Sequence, residues 1–253
     1  MRFAKLHGLG NDFVLLDLRQ GGEPLPAARA IELCDRRLGI GADGVLTLLP
    51  GPRMLVQNAD GSIPEMCGNG ARCAALWIAT EGGARAASTT VPLLTGAGPR
   101  LCKVSSDSGR AGLVEVEMGF AEVSAVRALP GFEAVPVSMG NPHRVIFSGG
   151  DISLLAREQG PALCVSENAN IEFVERLGPQ CYAVAVFERG AGLTQACGTG
   201  ACAVAAAAVA RGEAMRGEDI EVRLPGGSLF VRVSEHNRVL MRGPAQLVFS
   251  GEL

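Results

Sequence analysis

No stretch of this 253-residue chain reaches 18 consecutive apolar residues, so it offers no membrane-spanning helix. The N-terminus, Met1-Arg-Phe-Ala-Lys-Leu-His7, lacks the apolar core of a secretory signal, and the expected compartment is the cytoplasm. Surplus positive charge is missing too. A formal net charge of −3 argues against a nucleic-acid surface. There is no Cys-x-x-Cys pair, which removes the usual mark of zinc ribbons and thioredoxin-like redox sites. What remains is a globular composition, 47% hydrophobic against 19% charged, long enough for one large or two medium domains. Eight cysteines in a reducing compartment read as thiols rather than disulfides. Six of them (Cys34, Cys73, Cys102, Cys164, Cys181 and Cys202) read as small apolar packing residues.

The other two cysteines repeat a pattern. Cys67 opens Cys-Gly-Asn-Gly-Ala-Arg-Cys and Cys197 opens Cys-Gly-Thr-Gly-Ala-Cys, each leading into an alanine-rich run. Asn11 lies 56 residues before Cys67, and Asn141 lies 56 before Cys197; both follow a glycine. Asn58 stands nine residues ahead of the first cysteine and Glu188 nine ahead of the second. Matched features at one offset of 130 point to a duplicated unit. Such a unit could bring two equivalent thiols to one cleft from opposite sides.

Apolar runs of strand length punctuate both halves: Asp12–Asp17, Val45–Leu49, Met54–Gln57, Leu113–Met118, Arg144–Phe147, Tyr182–Phe187 and Leu229–Val233. Helical patterns cover Pro26–Arg37, with Gly39 beyond its end, and Ala71–Glu81 and Ala201–Arg211, which run directly into Gly82 and Gly212. Each half then reads as several strands around one long helix. The expectation is an α+β fold of two similar, pseudo-symmetric domains, each a mixed or antiparallel sheet wrapped around a long helix, with the active site in the cleft between them. Gly39-Ile-Gly-Ala-Asp-Gly44 has the letters of a dinucleotide fingerprint, but a helical pattern precedes it and a strand follows, the reverse of the required order. It reads as a turn.

A cysteine just ahead of a helix start sits among unpaired N–H groups at the positive end of the helix dipole, which favours thiolate. Gly68 and Gly198 leave those N–H groups open to a carboxylate. Inverting an α-carbon without a cofactor needs a base on one face and an acid on the other, and two thiols can exchange those roles. Structural zinc fits less well, because five residues separate Cys67 from Cys73 and four separate Cys197 from Cys202. No metal is expected. A non-catalytic thiol or zinc protein is the rival from another class, to be separated by zinc analysis and an α-proton exchange assay.

The motifs Lys5-Leu-His-Gly-Leu-Gly-Asn-Asp-Phe13, Asn58-Ala-Asp-Gly-Ser62, Met66-Cys-Gly-Asn-Gly-Ala-Arg-Cys73, Gly140-Asn-Pro-His143, Asn168-Ala-Asn-Ile171, Glu188-Arg-Gly-Ala-Gly192 and Gln195-Ala-Cys-Gly-Thr-Gly-Ala-Cys202 together resemble the diaminopimelate epimerases nearly end to end. The resemblance implies pyridoxal-independent conversion of LL-2,6-diaminopimelate to the meso form, for lysine and peptidoglycan synthesis, without a cofactor. It implies that Cys67 and Cys197 are the acid/base thiols. Asn11, Asn58, Asn141, Asn170, Glu188 and Arg189 match substrate contacts, Gly68, Asn69, Gly198 and Thr199 match carboxylate-binding helix starts, and His143 and Glu188 match thiol-tuning residues. It further implies a first domain of residues 1–117 with a returning strand at about 242–253, a second domain of 118–241, and a homodimer. A racemase of another amino acid on the same fold is the alternative. The Glu188-Arg189 pair and Asn58 argue against it, and a substrate panel would decide; the related proline racemases typically carry histidine where Asn69 stands and lack the Glu188-Arg189 pair. Two departures are visible: some members have glutamine at the position of Gly44, and Thr89–Pro99 is less typical.

Overall fold

The computed structural model describes residues Met1–Glu252. Strands β1 (Arg2–Gly8) and β2 (Asn11–Asp17) form a tight antiparallel hairpin. Leu9 and Gly10 turn it with φ of 57° and 83°, the left-handed pair that a two-residue hairpin turn requires. The chain divides into two compact units, Met1–Val116 joined by the segment from Gly243 onward, and Glu117–Arg242.

In the first unit β2 leads to helix α1 (Ala27–Cys34), then to strands β3 (Gly44–Leu49) and β4 (Arg53–Asn58). Helix α2 (Gly68–Thr80) and strands β5 (Ala86–Thr95), β6 (Gly98–Ser106) and β7 (Ala111–Phe120) follow. Pairing alternates: β1/β2 antiparallel, β2/β3 parallel, β3/β4 antiparallel, β4/β5 parallel and β5/β6 antiparallel. Val14, Leu16, Ala30, Leu33 and Val45 bury between this sheet and α1. Helix α2 lies against β1 to β6 and buries Ala71 and Cys73–Leu76.

The second unit repeats the alternation. Its elements are β8 (Glu122–Val123), β9 (Arg127–Leu129), β10 (Phe132–Ser138), β11 (Pro142–Phe147), helices α3 (Ile152–Glu158) and α4 (Gly160–Glu167), β12 (Asn170–Gly178), β13 (Cys181–Glu188), β14 (Gly192–Leu193), helix α5 (Gly198–Ala210), β15 (Ile220–Leu224), β16 (Gly227–Val233) and the start of β17 (Arg238–Glu252). Here β10/β11 is antiparallel, β11/β12 parallel, β12/β13 antiparallel, β13/β15 parallel and β15/β16 antiparallel. Helix α5 is apolar on every side, and all its residues from Gly198 to Val209 except Thr199 are buried, as befits a helix enclosed by its sheet. The far half of β17 pairs with β1, within the first unit.

Three sequence expectations need correcting. Helix α1 stops at Cys34 rather than Arg37, because the Asp35 carboxylate accepts the N–H groups of Arg37 and Leu38 at 2.7 Å and draws the backbone out of the helix. The following turn closes so tightly that a Cβ on Gly39 would lie 2.2 Å from the Glu32 carbonyl oxygen. The second unit carries two short helices besides its long one. Asp151 caps α3 by accepting from Ser153 and Leu154, a cap signal that the weakly periodic sequence hid. Helices α2 and α5 begin at Gly68 and Gly198, three residues earlier than the alanine runs indicated.

Candidate active site

The early helix starts make Cys67 and Cys197 themselves the N-caps of two 13-residue helices. Both have extended backbones, with φ/ψ of −135°/109° and −118°/111°. Each sulfur accepts the N–H three residues on, from Gly70 and from Gly200, at 3.3 Å in both cases. Sulfur thus occupies the place usually taken by a serine or aspartate oxygen, in contact with the N–H groups at the helix end. Gly68 and Gly198 are the first helical residues of their respective helices, and Asn69 and Thr199 the second.

Around Cys67 the side chains form a chain of hydrogen bonds. The buried Asn69 amide donates to Asn11 Oδ1 at 3.0 Å, and Asn11 Nδ2 donates to Asp43 Oδ2 at 2.8 Å. The fully buried Arg72 guanidinium donates to Asn69 Oδ1 at 2.9 Å. Asn58, at the end of β4, pairs in register with Gly44 and donates to Ser62 Oγ at 2.9 Å. Asp12 stands behind this chain, bridged to Lys5 at 2.6 Å and to Arg36 at 2.7 Å. Burial raises its pKa, but hydrogen bonds from Arg36 and Lys5 outweigh that and hold it at about 2.

Around Cys197 the network is ionisable. Thr199 Oγ1 lies 3.6 Å from the sulfur and receives Asn141 Nδ2 at 3.4 Å. Asn141 Oδ1 meets His143 Nε2 at 3.1 Å, and His143 Nδ1 meets Glu172 Oε1 at 2.6 Å. His143 and Glu172 are both completely buried. Asn170, level with His143 across the parallel strands, accepts the Arg189 N–H at 2.8 Å. The Arg189 side chain is exposed and donates to the Asn168 carbonyl and side-chain oxygens. Glu188 accepts from the Thr194 hydroxyl.

Burial pushes Cys197 well above an ordinary thiol, and the Glu188 and Glu172 carboxylates push it further. The Thr199 hydroxyl and the Gly200 N–H act the other way and lose. For this cysteine the thiolate-favouring helix start is therefore overridden, a correction to the simple dipole argument: two nearby carboxylates in a dry site outweigh one backbone donor. Burial likewise raises Glu188. Burial pushes two of the packing thiols up, Cys34 to about 11 and Cys73 to about 12, whereas Cys181 is half-buried and donates to Glu221. Among the described residues no three His, Cys, Asp or Glu side chains converge as a metal site would need.

Sequence reasoning missed Glu172, Asp43, Asp12 and Arg72, which support the named residues from behind. Glu172 had one legible signal: it is a charged residue in the apolar run Ile171–Val174 that follows the Asn168–Ile171 motif.

Solved structures share this fold. A predicted epimerase from Pseudomonas aeruginosa superposes with a TM-score of 0.79 at 20% identity, over 100% of this chain and 98% of that one. A hydroxyproline epimerase from Agrobacterium vitis gives 0.74 at 16% identity, over 100% and 90%. The chain therefore shares its fold with solved proteins titled epimerases. The family model described as Diaminopimelate epimerase matches residues 3–124 and 135–248. The chain belongs to the diaminopimelate epimerase family. It is 42% identical to the diaminopimelate epimerase of Synechococcus elongatus over 100% of this chain and 98% of that protein. With the Microcystis aeruginosa enzyme it shares 43%, over 98% and 97%.

Proposed function

We propose that this protein interconverts LL- and meso-2,6-diaminopimelate by proton exchange between two cysteines, without a cofactor. The observation that carries this reading is the pair of cysteine N-caps, Cys67 and Cys197, at matching places in two units of an epimerase-family chain. One sulfur, as thiolate, removes the α-proton. The other, as thiol, delivers a proton to the opposite face, and the roles exchange in the reverse direction. The mechanism requires both sulfurs to reach one carbon. The backbone N–H groups at Gly68, Asn69, Gly198 and Thr199 suit the substrate carboxylate beside the reacting carbon and offset charge growing on it.

Diaminopimelate has a second amino-acid end that must be held while the first is inverted. Asn11, Asn58, Asn141 and Asn170 offer donors and acceptors to it, Arg189 offers a fork for its carboxylate, and Glu188 offers a partner for an ammonium. Placement in the cytoplasm and assembly as a homodimer belong to the same reading; no helix among the described residues is long and apolar enough to cross a membrane.

The test is incubation with LL-diaminopimelate in D₂O. Meso product carrying deuterium at the inverted carbon is expected. No exchange with diaminopimelate, or faster exchange with another amino acid in a parallel panel, would overturn the assignment.

A further inference from the structure

The two cysteine caps are built alike, but what lies behind them differs. Phe13 pairs with Gly44 across the parallel β2/β3 ladder, and Leu46 is two residues further along β3. His143 pairs with Asn170 across the parallel β11/β12 ladder, and Glu172 is two residues further along β12. The strand alternation in the two units makes His143 the counterpart of Phe13, and Glu172 the counterpart of Leu46.

The glycines that cap each sulfur confirm the match. A Cβ on Gly70 would meet Leu46 Cδ2 at 2.9 Å and Cys67 Sγ at 3.5 Å. A Cβ on Gly200 would meet Glu172 Oε1 at 3.0 Å and Cys197 Sγ at 3.2 Å. All four residues behind the caps are buried. One cap therefore has leucine behind it, with phenylalanine on the neighbouring strand; the other has glutamate, with histidine on the neighbouring strand. A like-for-like duplication would put apolar side chains at both, since an enclosed carboxylate is costly. Glu172 spends one oxygen on His143 at 2.6 Å, and its other oxygen, Oε2, is buried with no hydrogen-bond partner.

We propose that Glu172 is a positioning residue that makes the two thiols unequal: held by His143 against the first turn of α5, its carboxylate keeps Cys197 as the proton-bearing thiol of the resting protein. At the matching positions of the first unit stand Leu46 and, on the neighbouring strand, Phe13, neither of them ionisable. This rests on the epimerase reading, in which one thiol must begin as acid and the other as base. The ionisable groups around Cys197 are Glu172 from β12, Glu188 from the end of β13 and, bonded to Glu172, His143 from β11. Other ionisable groups on the strands against α5 are engaged elsewhere or face solvent: Arg144 bonds Glu167, Glu221 bonds Arg223, Arg232 bonds Asp219, Arg176 reaches the Glu213 carbonyl, and Glu122 and Glu133 are exposed. Glu175 lies half-buried three residues past Glu172 on β12.

The test is the pH dependence of alkylation by iodoacetamide, followed separately at Cys67 and Cys197 by peptide mapping of the full, substrate-free chain. Wild type is compared with Glu172→Gln, and with Glu172→Leu, which copies the first unit. The midpoint for Cys197 is expected to fall by about one pH unit in both variants, about tenfold more thiolate at a given pH below the midpoint. The midpoint for Cys67 and the high-pH plateau rates should hold. Mere loosening of the fold would instead raise the plateau and leave the midpoint in place. An unmoved Cys197 midpoint in either variant that keeps its wild-type melting temperature, or equal shifts at both cysteines, overturns the proposal. The measurement needs no turnover, so failure of the epimerase reading in the D₂O assay would be seen separately.

Discussion

A sulfur atom at a helix N-cap is an unusual substitution for oxygen, and at Cys67 and Cys197 it places a titratable group on the helix's own donors. Replacing either cysteine by alanine is expected to abolish epimerisation, because each change removes the acid or base for one face. Full activity in Cys197→Ala would end the two-base account. Arg189 is exposed and bonded to Asn168, so its loss should cost binding rather than folding. In Arg189→Ala we expect KM for diaminopimelate to rise about tenfold or more, the worth of a charged hydrogen bond, with the melting temperature unchanged. An unchanged KM would show that Arg189 serves another purpose.

Asp12 supplies a pH-dependent term. Its folded pKa of about 2 lies below the ordinary value of 3.8, so its contribution is present above about pH 4 and is lost as pH falls towards 2. The shift corresponds to about 2 kcal/mol. Asp12→Asn should therefore be less stable than wild type by about that amount at neutral pH, with the gap closing between about pH 4 and pH 2. Urea unfolding at several pH values measures it. A gap independent of pH would assign the effect to packing.

At the scale of the element, helix α5 is the tightest constraint. Its alanine run leaves room for strands on all sides, and Ala203, Ala205 and Ala207 have no exposed surface. Enlarging one of them has nowhere to push but the surrounding sheet. Ala205→Leu should cost about 1–3 kcal/mol by overpacking, read as a lower urea midpoint. A neutral result would mean that the interior has slack which the burial does not suggest. Helix α1 differs: its outer face carries exposed Ile31 and Glu32, and it ends where Asp35 and the tight turn at Gly39 draw the chain away.

At the scale of the whole molecule, the chain's last strand ties its end to its beginning. Residues from Gln246 to Glu252 pair with β1, and the Pro244 carbonyl accepts from Arg72 at 3.1 Å. Ending the chain at Arg242 would strip β1 of one neighbour and Arg72 of an acceptor. The first unit should then lose protection, with amides of β1 and α2 exchanging faster while those of α5 hold. Equal protection in both versions would show that the returning strand is dispensable.

The sequence by itself determined the repeat, the α+β class and the placement of both cysteines at helix starts. Those features are local: glycine, alanine and periodic apolar runs act within a few residues. All seven strand runs read from the sequence are strands in the structure, and each is a little longer at one or both ends. The hairpin of β5 and β6 and the two short helices of the second unit were not legible, since their periodicity is weak and their stability comes from packing. Tertiary structure alone decided the surroundings of the thiols. Leu46 and Glu172 are far from their cysteines in sequence and reach them only through strand pairing and helix packing. A dipole argument from local sequence makes both sulfurs thiolate-favouring, whereas burial beside Glu188 and Glu172 makes Cys197 hold its proton, because charge interactions grow as water is removed.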